Sequence, residues 1–323
     1  MKTLKKKSLS ELSYYGVGGV ADEVVYPETT EELSLLLKKF HQENRPYFFL
    51  GSGTNSLISD EPFNGSVIKF DQLIKLERTD HSIVCGAGVE NTTLAQYALS
   101  NELAGAAWMN FLPGQLGATV RMNARCYGGE ISSIASQVTT VTTTGEIVCH
   151  ADDEMFRGYK DTIFMTNNEV ITSVKIDLTP GATGEISQEM KFCENDRKSK
   201  GQFTHPSCGC VFKNDYSVGV PSGMLIEEAG FKGYEYKGAM VSPDHANFIF
   251  NINSTALDIL ELSFLIRDRV YEKFGVWLHY EMEVLGVLPD DLLQAKEEMR
   301  NHKMKDVELE KLRSKFNQKN LID

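Results

Sequence analysis

The sequence predicts an α+β protein in two domains, and three observations predict it. Strand-like and helix-like segments alternate through the first half. Thr179-Pro180-Gly181 then punctuates the chain, and a second region with its own long helix and terminal strand follows. The length, 323 residues, is enough for two domains that each bury a core. The expected division is 1–182, 183–290 and a charged helical tail over 291–323.

In chain order, residues 24–26 read as a short strand. Thr29 and Glu32 stand at capping-box spacing, and Leu33, Leu36, Leu37 and Phe40 continue at helical spacing. Residues 47–50 are an apolar run that stops at Gly51-Ser52-Gly53-Thr54-Asn55. Segments 66–70 and 82–85 are strand-like, and 92–103 is helical. A stretch rich in Gly and Asn, 109–130, is irregular. Residues 138–143 and 147–150 form a hairpin across Thr144-Gly145, and 170–178 is another strand. A charged helix is expected over 186–200. A short one spans 222–230, with Leu225, Ile226 and Ala229 inside and Gly230 ending it. A long one spans 254–274, capped by Ser254 or Thr255 and stopped by Gly275. Residues 276–285 read as a strand. The segment after Pro289 is assigned no chemistry.

Composition narrows the function. Hydrophobic residues are 41% and charged residues 24%, ordinary for a soluble chain. A formal net charge of −12 argues against nucleic acid and against an anionic membrane surface, but a few local cations still suffice for a small anionic ligand. No stretch approaches the roughly 18–20 apolar residues of a membrane span. The basic start, 1–7, has no apolar segment behind it, so no signal peptide is expected. Cys85, Cys126, Cys149, Cys193, Cys208 and Cys210 read as reduced thiols of a cytoplasmic protein. Cys208 and Cys210 have no second Cys or His pair at zinc-site spacing, so no metal site is expected.

Two loops carry the functional signal. Gly51 to Asn55 follows a buried-looking strand, where glycines let backbone amides approach a phosphate. The pattern is neither a Walker loop nor a G-x-G-x-x-G fingerprint, and taken alone an ordinary tight turn is the better reading. A second loop joins Pro113-Gly114-Gln115-Leu116-Gly117 to Asn123-Ala124-Arg125-Cys126-Tyr127-Gly128-Gly129-Glu130. It is too long for a turn, and Met109, Phe111, Leu112 and Val120 argue against disorder. Two such loops suggest a long ligand with a pyrophosphate.

These blocks, in this order, resemble the UDP-N-acetylenolpyruvoylglucosamine reductase family, flavoenzymes of bacterial cell-wall synthesis also called UDP-N-acetylmuramate dehydrogenases. The resemblance runs from about Leu12 to Gly286. Tyr15 to Ala21 resembles the family's entry segment, and Leu50 to Ile58 its first FAD loop. Pro113 to Gly117 and Asn123 to Gly128 resemble its second. Phe156 to Phe164 resembles its Tyr-Arg-x-Ser segment, and Pro206 to Asn214 its Ser-x-Gly-Ser-x-Phe-Lys-Asn motif. Gly238 to Phe248 and Gly275 to Gly286 resemble two further blocks.

The resemblance implies an FAD-binding domain of the para-cresol methylhydroxylase type, built of two α/β subdomains, then a smaller α+β substrate domain of the shorter type. It implies non-covalent FAD, with NADPH as co-substrate; a covalent bond from Cys126 is the disfavoured alternative. The implied flavin contacts are Gly51, Ser52, Gly53, Thr54, Asn55, Ser56, Pro113, Gly114, Gly117, Asn123, Ala124, Arg125, Tyr127 and Gly128. The implied reaction reduces the enolpyruvyl ether of a UDP-sugar. Hydride goes to the terminal carbon, a proton to its neighbour, and negative charge gathers on the substrate carboxylate between. Cys210 falls where the family has its donor serine; a thiol, with a reference pKa near 8.5, is mainly protonated at neutral pH. Glu281 aligns with the catalytic glutamate, and Glu283, on the same face of an ideal strand, is the runner-up. Lys160 stands for the arginine that steadies the enolate, keeping its charge but losing its planar fork. Arg125 supplies part of that guanidinium, unless it is a surface residue or serves the flavin phosphates; Arg157 is another source. Tyr159, Lys213 and Asn214 are substrate contacts, though a solvated Lys213 is nearly as good a reading. His245 is assigned packing and Cys208 a structural role. A paralogue with another substrate, and a nucleotide-sugar binding protein without redox activity, are the alternatives.

Overall fold

The computed structural model describes residues 1–320, so the last three residues of the tail set at 291–323 lie outside it. The chain divides into two compact units. The first is Met1–Lys7, Ala21–Ser52 and Asn64–Ser199; the second is Ser8–Val20, Gly53–Phe63 and everything from Lys200 onward. Neither is one continuous stretch. Helix Thr183–Ser199 falls in the first unit, whereas the division at 182/183 places it in the second domain. Burial explains the difference: Ile186 and Met190 join the core around Leu94, Trp108 and Met109.

The first unit holds two larger sheets beside three two-stranded ones. One orders the strands Lys2–Ser8, Val20–Tyr26, Phe63–Lys69 and Tyr47–Leu50, with the last two parallel. The other orders Ile147–His150, Ala135–Val141, Val170–Asp177, Ser82–Gly86 and Leu76–Thr79, antiparallel throughout. Helix α1, Thr30–Glu43, buries Leu33, Leu36, Leu37 and Phe40, the four residues at helical spacing. Only half of its expected capping box forms. Thr29 accepts the Glu32 N–H, but the Glu32 carboxylate turns to the Glu28 amide. Helix α2 is Asn91–Ser100. The stretch expected to be irregular contains a six-residue helix, α3, Leu116–Arg121, and a small hairpin. Helix α4 is Thr183–Ser199.

The second unit packs one large core from Tyr15 and Val17 through Phe212 and Leu225 to Ile266, Phe274 and Leu312. Helix α5, Ser222–Glu228, buries Leu225 and Ile226. Helix α6, Ala256–Phe274, starts at a full capping box between Thr255 and Asp258 and ends at Gly275 in the left-handed region, φ 68°. The expected strand over 276–285 is short: only Glu283–Leu285 forms one, pairing in parallel with Ser56–Ile58. Helices α7, Asp290–Glu297, and α8, Asp306–Asn320, follow. Among the described residues no helix is long and apolar enough to cross a membrane.

Candidate active site

Two constellations form, one in each unit. In the first unit the strand Tyr47–Leu50 ends at Gly51, whose carbonyl accepts from the Lys69 ammonium. Lys69 is only 4% exposed and pairs with Asp71 at 3.4 Å. Burial pulls its pKa below the usual lysine value while the Asp71 carboxylate pushes the other way. Asp71 in turn accepts from Gln115 Nε2 at 2.9 Å, and the Gln115 Oε1 stands 3.3 Å from where a Cβ on Gly51 would lie. Ser52 Oγ donates to Glu90 at 2.7 Å. This network binds the first glycine loop to the start of α3. Gly117, on α3, packs so closely that an added Cβ would lie 2.8 Å from that of Ala87. Asn91 holds the preceding turn, donating its N–H to the Gly114 carbonyl at 3.0 Å just after Pro113.

The second loop folds back as a hairpin in which Arg125 and Cys126 pair with Glu130 and Gly129. Its turn residues, Tyr127 (φ 51°) and Gly128 (φ 78°), are both left-handed, as a tight two-residue hairpin demands. Ala124 is fixed at both ends, donating to Thr119 and accepting from Ile131. Asn123 is buried and donates to Glu130 at 2.7 Å and to the Gly158 carbonyl at 2.9 Å. A second hairpin pairs Phe156–Gly158 with Asp161–Thr162, leaving Tyr159 and Lys160 at its tip. Lys160 is itself left-handed, φ 53°. Thr162 Oγ1 donates to the Arg121 carbonyl at 2.6 Å, and the Arg125 guanidinium lies 4.5 Å over the Tyr159 ring. Thus Arg125 meets Tyr159, the neighbour of Lys160, although the two are 34 positions apart in sequence. Arg157 reaches Thr166 and Asp161 instead. The Cys126 thiol receives an Arg197 N–H at 3.0 Å; burial raises its pKa, and the Arg197 charge opposes that.

In the second unit Cys210 and Phe248 form an isolated bridge, as do Phe212 and Tyr280. The Asn247 side chain clips Phe212 through both its amide N–H and its carbonyl. The Val211 carbonyl accepts from two successive amides, Glu281 at 2.8 Å and Met282 at 3.2 Å. That double acceptance is a β-bulge, and it breaks the alternation that put Glu281 and Glu283 on one strand face. Glu281 therefore stands apart from Glu283, which sits in the parallel pair opposite Ser56. Asn55 bridges both: its side chain donates to the Glu281 carbonyl at 2.9 Å and its carbonyl accepts from Glu283 N–H. Lys213 N–H donates to the His279 carbonyl, and Asn214 Oδ1 accepts from Ser222 N–H. Cys208 is 4% exposed and donates to the buried Tyr15 hydroxyl at 3.3 Å. Burial pushes its thiol up to about 12, with the Glu281 charge adding to the rise. His245 stacks on Phe248 at 4.3 Å.

With this geometry in view, the relatives can be compared. The profile of the UDP-N-acetylenolpyruvoylglucosamine reductase C-terminal domain matches residues 201–285, and that of an FAD binding domain matches 21–149. A reductase of that name from Geobacillus thermodenitrificans is 32% identical over 284 residues, 88% of this chain and 93% of the relative. One from Streptococcus pneumoniae is 36% identical over 282 residues, 87% of this chain and 93% of the relative. The chain belongs to the UDP-N-acetylenolpyruvoylglucosamine reductase family. The crystal structure of the Thermus caldophilus reductase superposes with a TM-score of 0.72 at 31% identity, covering 88% of this chain and 98% of that one.

The first unit fits the flavin dinucleotide that the family implies. Among the described residues, the Ser52 amide at the end of the first glycine strand finds no protein acceptor, which suits a phosphate. Gln115 Oε1 and Asn123 Oδ1 are buried acceptors with no donor. Each amide spends its N–H on a carboxylate or carbonyl, so the orientation is set and the oxygen is left for a ligand hydroxyl or N–H. An open cavity of about 530 Å³ lies beside Asn123, Phe156 and Gly158, with the carboxylates Glu130, Asp152 and Asp153 also on its wall. Lys69, Asp71, Gln115 and Asn247 were not singled out from the sequence. Gln115 and Asn247 lie inside motif blocks read from the sequence without being assigned a role, and Lys69 closes the apolar run Val67-Ile68.

Proposed function

We propose that this chain reduces UDP-N-acetylglucosamine enolpyruvate to UDP-N-acetylmuramate, using NADPH, in peptidoglycan precursor synthesis. It is a flavin-dependent oxidoreductase. Most of segment 1–182, joined by α4, serves as the FAD domain and most of 200–290 as the substrate domain, with 291–323 an appendage. FAD, when bound, supplies the hydride. The Ser52 amide holds its diphosphate, and Gln115 and Asn123 accept from its hydroxyls or N–H groups. Cys210 Sγ delivers the proton to the carbon next to the reduced one. Glu281 assists from the paired segment, and Lys160 with Arg125 neutralises the enolate that forms on the substrate carboxylate. Tyr159, Lys213 and Asn214 orient the nucleotide-sugar. Six free thiols suit the cytoplasm, where NADPH and the nucleotide-sugar would be met.

The observation that supports these roles best is the bulge at Val211, which joins the backbone of the Cys210 segment to Glu281. The test is anaerobic. Protein loaded with FAD is reduced by NADPH and mixed with the enolpyruvyl nucleotide-sugar, and flavin reoxidation is followed. Rapid reoxidation is expected. Reoxidation only by a different enoyl substrate would favour the paralogue, for which the Lys160 and Cys210 departures speak.

A further inference from the structure

The family profile ends at residue 285, yet the chain continues into α7 and α8, and this segment does not hang loose. Leu309 and Leu312 enter the core of the second unit. Lys303 and Lys305 amides donate to the carbonyls of Gly275 and Phe274 at 2.7 and 2.9 Å. The Trp277 ring, 1% exposed, donates to the Glu298 carbonyl at 3.2 Å, and the Arg267 and Arg300 guanidiniums lie 4.3 and 4.5 Å from its centre. On another side of the segment, Arg313 donates to the Val218 carbonyl at 3.0 Å.

One residue of the appendage touches both of the chain segments that carry Cys210 and Glu281. His302 Nδ1 accepts from the Trp277 backbone N–H at 3.1 Å. The ring proton is therefore on Nε2, which faces Asp215 Oδ2 at 2.9 Å. Trp277 begins the run that reaches Glu281; Asp215 follows Asn214 in the run that starts at Cys210. These runs already touch through Lys213 and His279. His302 ties their far ends, so it fixes how the Cys210 segment lies on the Glu281 segment. Asp215 is also the cap of the short turn at Tyr216–Val218, accepting from Ser217 N–H and O–H, so its position carries over to Asn214.

We propose that the C-terminal appendage is a clamp on the substrate-binding segment, with His302 as its positioning residue. The proposal rests on the functional reading above. A 0.5–1 Å loss of register at reacting groups costs large factors in rate while leaving the fold intact.

The test uses the full-length, FAD-loaded protein, reduced with dithionite and mixed anaerobically with increasing enolpyruvyl nucleotide-sugar. His302→Ala is expected to lower the limiting reoxidation rate at least tenfold and to raise the half-saturating concentration, with visible flavin absorbance and Tm close to the parent's. His302→Gln, which keeps a donor toward Asp215, recovers part of the loss, and Asp215→Asn reproduces it. Rates within twofold of the parent for His302→Ala overturn the proposal. So does a loss that tracks Tm and flavin content without recovery in His302→Gln. If His302→Ala does not fold, Asp215→Asn alone decides by the same two readings. Failure of the parent itself to reoxidise would sink the functional reading instead, so the two failures are distinguishable.

Discussion

A thiol at position 210 and an ammonium at position 160 make this site chemically different from the family motif it resembles. General acid catalysis by a positioned side chain contributes about 10²–10⁴-fold. Cys210→Ala should slow substrate-driven reoxidation by a factor in that range, and Glu281→Gln should slow it too, both with FAD still bound. Cys210→Ser should recover most of the rate, since a hydroxyl can fill the same role. A Cys210→Ala variant as fast as the parent in stopped flow would remove the thiol from the mechanism. Lys160→Met should cost about 10²–10³-fold, the usual effect of deleting one charge stabiliser, and Lys160→Arg should be tolerated because it keeps the charge and restores the planar fork of the family motif. Histidines make a separate residue-scale prediction. Burial holds His245 and His279 below the ordinary 6.5 in the folded chain. Below pH 6.5 the unfolded chain therefore binds protons that these two refuse when folded, so stability falls as pH falls through that value. Tm should drop between pH 7 and 5.5, and His245→Gln should flatten part of that slope; equal slopes would mean His245 is not the cause. Most candidate residues were legible at this scale because the motif order exposes them. Lys69, Gln115 and Asn247 were not, because their roles are hydrogen bonds to groups remote in sequence.

Elements fared differently according to how locally they are determined. α6 came out of apolar spacing and caps almost to the residue, and the start and buried face of α1 did too, since each is set by its own cap and apolar stripe. The stretch 276–285 did not. It alternates like a strand, but its partner accepts two amides at one carbonyl, and Trp277 donates to a histidine instead of a strand neighbour. The hairpins at 125–130 and 156–162 were likewise invisible, being only two or three residues deep and held by Asn123 and Thr162. Gly275 is the element-scale test. It is left-handed, and a Cβ there would run into the Lys303 carbonyl. Gly275→Ala should cost at least ~1–2 kcal/mol from the backbone alone, read as a lowered denaturant midpoint. An unchanged midpoint would show that the appendage packs elsewhere. Lys69→Met, which removes the charge that orients Gly51, should weaken FAD retention on desalting without changing the apoprotein's circular dichroism.

For the whole molecule the expectation concerns the cofactor. If the open amide and the two unpartnered side-chain oxygens belong to a dinucleotide site, FAD stabilises the folded chain by mass action. That stabilisation is about 2.7 kcal/mol at a hundredfold excess over Kd. Removing FAD should lower Tm, adding it back should restore Tm, and riboflavin, which has no diphosphate, should restore little. Equal rescue by riboflavin would argue that the glycine loop does not hold phosphate.

The sequence by itself determined the α+β class, the family and the two glycine loops, and it nominated the candidate reacting side chains. These are written in local pattern: apolar spacing, caps, and residue types in a set order. Only the tertiary structure decided that α4 packs in the first unit, that the bulge at Val211 separates Glu281 from Glu283, and that His302 reaches both Trp277 and Asp215. Those outcomes depend on which distant backbone groups find each other once the core closes, and no local pattern encodes them.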